Sequence, residues 1–247
     1  MDAVNFTVPT SWNELSDKQL RYVYRLIADD FSIDEVKAHC FLRWSGCKIL
    51  SRYGDYKFLC RLDKKEFAVA PRQIAEQLAS LDWIGQLPLS PIRFSRIGKH
   101  GALPADFQGV PFETFLVCEN LYQGFLHTQQ DAFLDQIGAQ LYPGQQKFDA
   151  TERINIFYWF ASLKDFFAKR FNDFLQPLNS GSENLLGSSP NIGAQLQEAM
   201  DAQIRALTKG DITKEREILA LDTWRALTEL NAQAKEYKQL NAKLNVK

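Results

Sequence analysis

The sequence predicts an α+β fold, predominantly α: a helical bundle carrying one small β-hairpin and a helical C-terminal extension. Three observations lead there. Three capping-box signals open the chain, Ser11…Glu14, Ser16…Gln19 and Ser32…Glu35, each a hydroxyl followed three residues on by Glu or Gln. One block of β-prone residues lies between 48 and 70. From Pro111 to Pro177 the apolar residues recur at helical spacing almost without a break.

Each element follows in order. After the second box, Leu20, Val23, Leu26 and Ile27 form a stripe that ends near Asp30. After the third, Val36, Cys40, Phe41 and Trp44 run to Gly46. Residues 17–30 and 33–45 are therefore expected as a helix pair, with "FTV" before them as a candidate edge strand. "YKFLCRL" and "EFAVA" flank Asp63-Lys64-Lys65-Glu66 and suggest a hairpin near 53–70. Pro71 opens a helix to about Leu81. Residues 85–111 hold four of the nine prolines and four glycines. This segment reads as a long irregular loop, with a short strand around "IRFSRI", and a loop of that length is functional or mobile.

Helices are then expected from Pro111 to about Thr128 and from Gln130 to Leu141, broken by "YPGQQ". The third is "INIFYWFASLKDFFAKRFNDFL", residues 154–175, with eight aromatic side chains in 22 positions. Its apolar run of ten, Ile154–Leu163, is half of the roughly 20 residues that a membrane span needs. Phe157, Phe160, Leu163, Phe167, Phe171 and Phe174 share one face. Ser162, Asp165, Lys169, Asn172 and Gln176 make a narrow polar stripe. A helix apolar on most sides is central to a domain. A membrane-surface helix needs many basic residues on its polar face, and this stripe has one lysine.

The domain organisation expected is a globular domain over 1–177, a Ser/Gly/Asn-rich linker over 178–193, and a helical extension over 194–247. In the extension, Leu196, Met200, Ile204 and Leu207 mark a helix ended by Gly210. A long helix over 212–244 carries Ile218, Leu221, Trp224, Leu227, Leu230, Ala234, Tyr237, Leu240 and Leu244, a spacing close to a coiled-coil seam. Two such helices either fold back on the domain or dock on another chain. Trp224, Leu227, Leu230 and Tyr237 are the expected partner-binding residues.

Composition is ordinary for a soluble protein: 247 residues, 45% hydrophobic, 24% charged, net charge −1. The start of the chain has no signal-peptide pattern, so a cytoplasmic location without membrane association is expected, and the Asn5-Phe6-Thr7 sequon carries no meaning. Cys40, Cys47, Cys60 and Cys118 lack paired zinc-site spacing and read as buried thiols. His39, His100 and His127 are scattered. There is no phosphate-binding glycine loop, no G-x-S-x-G and no H-E-x-x-H. No catalytic residue, metal or cofactor is assigned, and the reading is non-enzymatic.

Charge is uneven. Residues 37–100 hold twelve Lys or Arg against five Asp or Glu, and residues 101–150 hold one against six. Lys57, Arg61, Lys64, Lys65, Arg93, Arg96 and Lys99 form the candidate basic patch, with Lys48 and Arg52 beside them. Such a patch contacts phosphates or an acidic protein surface. A protein partner, or self-association through the acidic 101–150 stretch of a neighbouring copy, is favoured, because no nucleic-acid recognition motif accompanies the charge.

"VPTSWNELSDKQLRYVYRL" and "LTKGDITKEREILALDTWRALTELNAQAKEY" together resemble the two ends of proteins encoded in tailed-phage and prophage gene clusters. "ENLYQGFLHT" and "INIFYWFASLKDFFAKRF" fit the middle. The resemblance implies a role similar to a tail assembly chaperone, binding a tape-measure protein or tail-tube component, or a virion-associated part, in the bacterial host cytoplasm. It carries over no catalytic residue. The alternative is a nucleic-acid-associated protein using the basic 48–99 region.

Overall fold

A computed structural model describes residues 7–54, 57–62, 64–175 and 192–244. The chain is α+β and predominantly α, as expected. Its contacts divide into two compact units, residues 1–88 with 150–155, and residues 89–149 with 156–247.

In the first unit a 3₁₀ turn, Trp12–Glu14, precedes α1 (Asp17–Ala28) and α2 (Ile33–Ser45). Two of the three expected capping boxes form: Ser16 with Gln19, and Ser32 with Glu35. Each satisfies orphan N–H groups at its helix start. The Ser11 box does not form. Glu14 instead accepts from the N–H and hydroxyl of Thr10, both at 2.7 Å. Residues 7–10 make no strand, and Phe6 lies outside the described residues. Gly46 ends α2 at φ +70, a left-handed conformation that favours glycine.

The expected hairpin is part of a three-stranded antiparallel sheet, β1 (Lys48–Tyr53), β2 (Lys57–Leu62) and β3 (Lys65–Val69), in that order. Cys60 and Val69, with Cys47, are its buried side, joined by Phe58, Phe67 and Ile74. Ile74 comes from α3 (Pro71–Ala79). Trp12 then binds this region together: its indole N–H donates to the carbonyls of Trp83 (3.0 Å) and Gln86 (2.9 Å).

The second unit holds the hairpin β4 (Arg96–Ile97) and β5 (His100–Gly101). Helices α4 (Phe112–Thr128), α5 (Asp131–Leu141) and α6 (Ala150–Arg170) follow, the first turns of α6 belonging to the first unit. Gly138 of α5 is required by close packing: a Cβ there would lie 2.6 Å from Ile156 and 2.7 Å from Phe148. The aromatic helix is core, as its width requires. Trp159, Phe160, Leu163 and Phe167 are fully buried. Ser162 departs from its expected polar stripe. It too is buried, donating to the Trp159 carbonyl one turn back (2.9 Å).

The segment up to residue 111 is not a free loop. Phe94, Ile97, Phe107 and Val110 are buried. Its carbonyls accept from Tyr142 (at Phe94), Trp159 (at Ala105) and Trp224 (at Asp106). Irregular backbone can be buried only when its polar groups are paired, and three side chains supply that here.

The C-terminal helices are α7 (Ile192–Thr208), a 3₁₀ turn (Ile212–Lys214), α8 (Glu215–Leu219) and α9 (Thr223–Leu244). The single helix expected over 212–244 is thus broken at Ala220–Asp222. Asp222 caps α9, accepting from the Arg225 N–H (3.1 Å) and, with its other oxygen, from the Gly109 N–H (2.5 Å). Of the expected linker, 178–191 lies outside the described residues, and residues 192 and 193 already belong to α7.

Candidate interaction surfaces

Three places combine exposed or charged side chains in a way that packing alone does not use. The first is α9. Thr223 ties its start to the preceding segment, donating from both its N–H (2.9 Å) and its hydroxyl (2.8 Å) to the Val110 carbonyl. Trp224 then inserts among Phe166, Phe167 and Phe171, with ring centroids 5.8 Å from each. Ala226, Leu227 and Leu230 are buried. Asn231 accepts from the N–H groups of Asp173 (2.9 Å) and Phe174 (3.1 Å), capping the chain where it leaves α6.

This corrects part of the sequence reading. Trp224 meets this chain's own aromatic helix, and Leu227 and Leu230 are buried on the same stripe of α9, which lies against α4 and α7. Among the described residues the seam is exposed towards its end: Tyr237 is 67% and Leu240 59% exposed. Lys235, Glu236 and Lys243 are exposed around them, and Lys238 pairs with Asp173 (3.3 Å).

The second surface is the small sheet. In register, Tyr53 faces Lys57, Ser51 faces Leu59, and Lys48 faces Arg61. Side chains alternate across a strand, so these six share the face opposite Cys60. Arg61 is held by Glu66, through Nε (3.0 Å) and Nη2 (2.6 Å). Lys48, Arg52, Lys57, Lys64 and Lys65 are exposed.

The expected basic patch is therefore divided. Lys57, Arg61, Lys64 and Lys65 belong to the first unit, and Arg93, Arg96 and Lys99 to the second. Arg93 has a structural task, donating to the Leu103 carbonyl (2.9 Å). Arg96 and Lys99 are exposed on the β4–β5 hairpin.

The third place is a half-buried ion pair between Glu119 of α4 and Lys164 of α6. Gln123 donates to the same Glu119 oxygen (2.8 Å), and the Lys164 ammonium lies 5.5 Å from the centre of the Tyr122 ring. Burial first, and the Glu119 charge second, push the neighbouring Cys118 thiol and Tyr122 hydroxyl up from their ordinary values. Neither ionises near neutral pH, so neither is a nucleophile there. Burial likewise pushes Cys40 up to about 12 and Cys47 up to about 11. The four cysteines are buried free thiols.

A cavity of about 360 Å³ lies along α7 and the following 3₁₀ turn, between Asp201, Ile204, Arg205, Ile212 and Glu215. Its Ile212 wall is open to solvent, which makes it a surface groove rather than a water-excluding site. No described helix is long and apolar enough to cross a membrane.

Sequence reasoning missed Asp222 and the exposed apolar residues of β1, Ile49, Leu50 and Tyr53. The signal for Asp222 was present in "LDTWR": an Asp three residues before a backbone N–H in need of an acceptor. Comparison with known proteins finds no matching family model, no matching curated protein and no matching solved structure.

Proposed function

We propose that this chain is a non-enzymatic protein-binding factor, with the open end of α9 as a contact surface. One observation carries the reading. The seam of α9 is continuous from Trp224 to Leu240, and among the described residues it is buried as far as Leu230, half-buried at Ala234 and exposed beyond. Tyr237 and Leu240 extend the same stripe and are exposed. A helix seam left open at one end fits an amphipathic helix of a partner, read at three- and four-residue spacing. Lys235 and Lys243 beside the stripe favour a partner helix with acidic flanks. This agrees with the role implied by the tailed-phage resemblance, in which a small helical protein binds a tape-measure or tail-tube component before assembly. The host cytoplasm is the corresponding location.

The test uses Tyr237→Ser with Leu240→Ser in the full chain, substitutions at exposed positions. Co-expression with the tape-measure-type protein of the same gene cluster should give a complex with wild type and none with the double variant. Light scattering on the isolated proteins completes it. A wild-type dimer that the double variant abolishes assigns the open seam to a second copy and overturns the partner-helix reading. Equal complex formation by both proteins overturns the role of α9.

A further inference from the structure

We infer that β1 is an open sheet edge that takes up an extended acidic segment of another protein, by strand addition. The inference stands on the first unit alone and does not rest on the role given to α9. In the order β1-β2-β3, β1 has a neighbouring strand on one side only among the described residues, and every one of its six residues is exposed. An edge strand offers a row of backbone donors and acceptors for pairing. Its side chains are also unusual for a strand open to water. Ile49, Leu50 and Tyr53 are 46%, 39% and 58% exposed.

These three residues do not share a face. Ile49 pairs with buried Cys60, so it lies at the margin of the packed side. Tyr53 pairs with Lys57 on the open side, and Leu50 sits in the register break between Ile49 and Ser51. A flat ligand on the open face would reach Tyr53 and miss Ile49. A strand added along the edge meets both faces, since its own side chains alternate. The placement therefore selects an extended peptide over a stacked base. Among the described residues only one ring, Tyr53, lies on the open face, and single-strand binding uses successive aromatic platforms.

Charge decides which peptide. Lys48 and Arg52 lie in β1, Lys57 starts β2, and Lys64 and Lys65 mark the turn into β3. The one acidic side chain of the described strands, Glu66, is engaged by Arg61. Basic residues and a bulge on an edge discourage pairing between two copies of the same strand. The same charges attract a strand carrying Asp or Glu.

The test is fluorescence anisotropy of the full chain with a labelled peptide alternating glutamate and valine. A lysine–valine peptide and a single-stranded oligothymidine are the comparisons, and amide hydrogen exchange reads the bound state. The expected result is binding of the glutamate peptide alone, with slowed exchange at amides of residues 48–53. Lys48→Glu with Arg52→Glu should weaken it by roughly tenfold or more, while Tyr237→Ser with Leu240→Ser leaves it unchanged. Several results would overturn the inference. One is equal binding of the lysine peptide. Another is oligothymidine binding that falls steeply with salt and leaves those amides unprotected, which would make the sheet a nucleic-acid surface. Slowed exchange at residues 48–53 without peptide, together with a dimeric mass, would identify the occupant as a second copy. No binding by any probe would also refute it.

Discussion

Leu227 and Leu240 belong to one stripe of α9 and differ in what covers them. Leu227 has no exposed surface, while Leu240 is largely open. Removing side-chain atoms from a packed site loses both their transfer free energy and the contacts of the cavity lining. Leu227→Ala should therefore destabilise the chain by about 2–5 kcal/mol. Leu240→Ala should change stability by no more than about 0.5 kcal/mol. Denaturant unfolding of the two variants, followed by near-ultraviolet circular dichroism, makes the comparison. Equal effects would mean that the start of α9 is not packed as described. The sequence ranks these residues equally, since both are leucines at seam positions. What separates them is which stretch of α9 lies against the rest of the chain, and that is not written in the local pattern.

At the scale of elements, the two N-terminal helices offer an internal comparison. Both start with a serine capping box, but α1 uses Gln19 and α2 uses Glu35. The Ser32 hydroxyl, and then the Ser32 N–H, hold the Glu35 carboxyl below its usual 4.5. A carboxyl with a lowered folded value stabilises fully above its unfolded value and loses that contribution as pH falls through the folded one. Gln19 does not titrate. Ser16→Ala should therefore cost about 1 kcal/mol at neutral and at acid pH alike. The cost of Ser32→Ala should shrink as the pH is lowered from about 7 to about 3. Unfolding curves of both variants at the two pH values check this, and a pH-independent Ser32→Ala effect would refute it. These helices were legible because capping is a local chemistry, fixed by residues three apart. The strand β1 was not: with every residue exposed, "KILSRY" shows no alternation between a wet and a dry face. Residues 89–111 misled for the opposite reason. Their prolines and glycines read as loop, while Phe94, Ile97 and Phe107 are buried by groups far along the chain.

For the whole molecule, the question is whether the C-terminal helices are an appendage or part of the core. The sequence left both open, because a stripe does not say which surface covers it. The contacts of Trp224, Leu227 and Asn231 make α9 structural up to about residue 231. Cutting the chain after residue 177 would remove α7, α8 and α9 together. It would uncover Phe166, Phe167 and Phe171, and leave the N–H groups of Asp173 and Phe174 without their Asn231 acceptor. Aromatic side chains bury some of the largest areas of any residue, so the shortened chain should bind a hydrophobic dye and aggregate. Among the described residues, cutting after Gln233 removes exposed Tyr237 and Leu240, half-buried Ala234 and Asn241, and the pair between Lys238 and Asp173, the last worth about 0–1 kcal/mol. That chain should keep the near-ultraviolet spectrum and unfolding midpoint of the full protein while losing the proposed partner contact. Light scattering, dye binding and unfolding of the two truncations give the answer. A folded, dye-silent 1–177 chain would show that the helices are an appendage after all, and that the seam of α9 is free along its whole length to meet another protein.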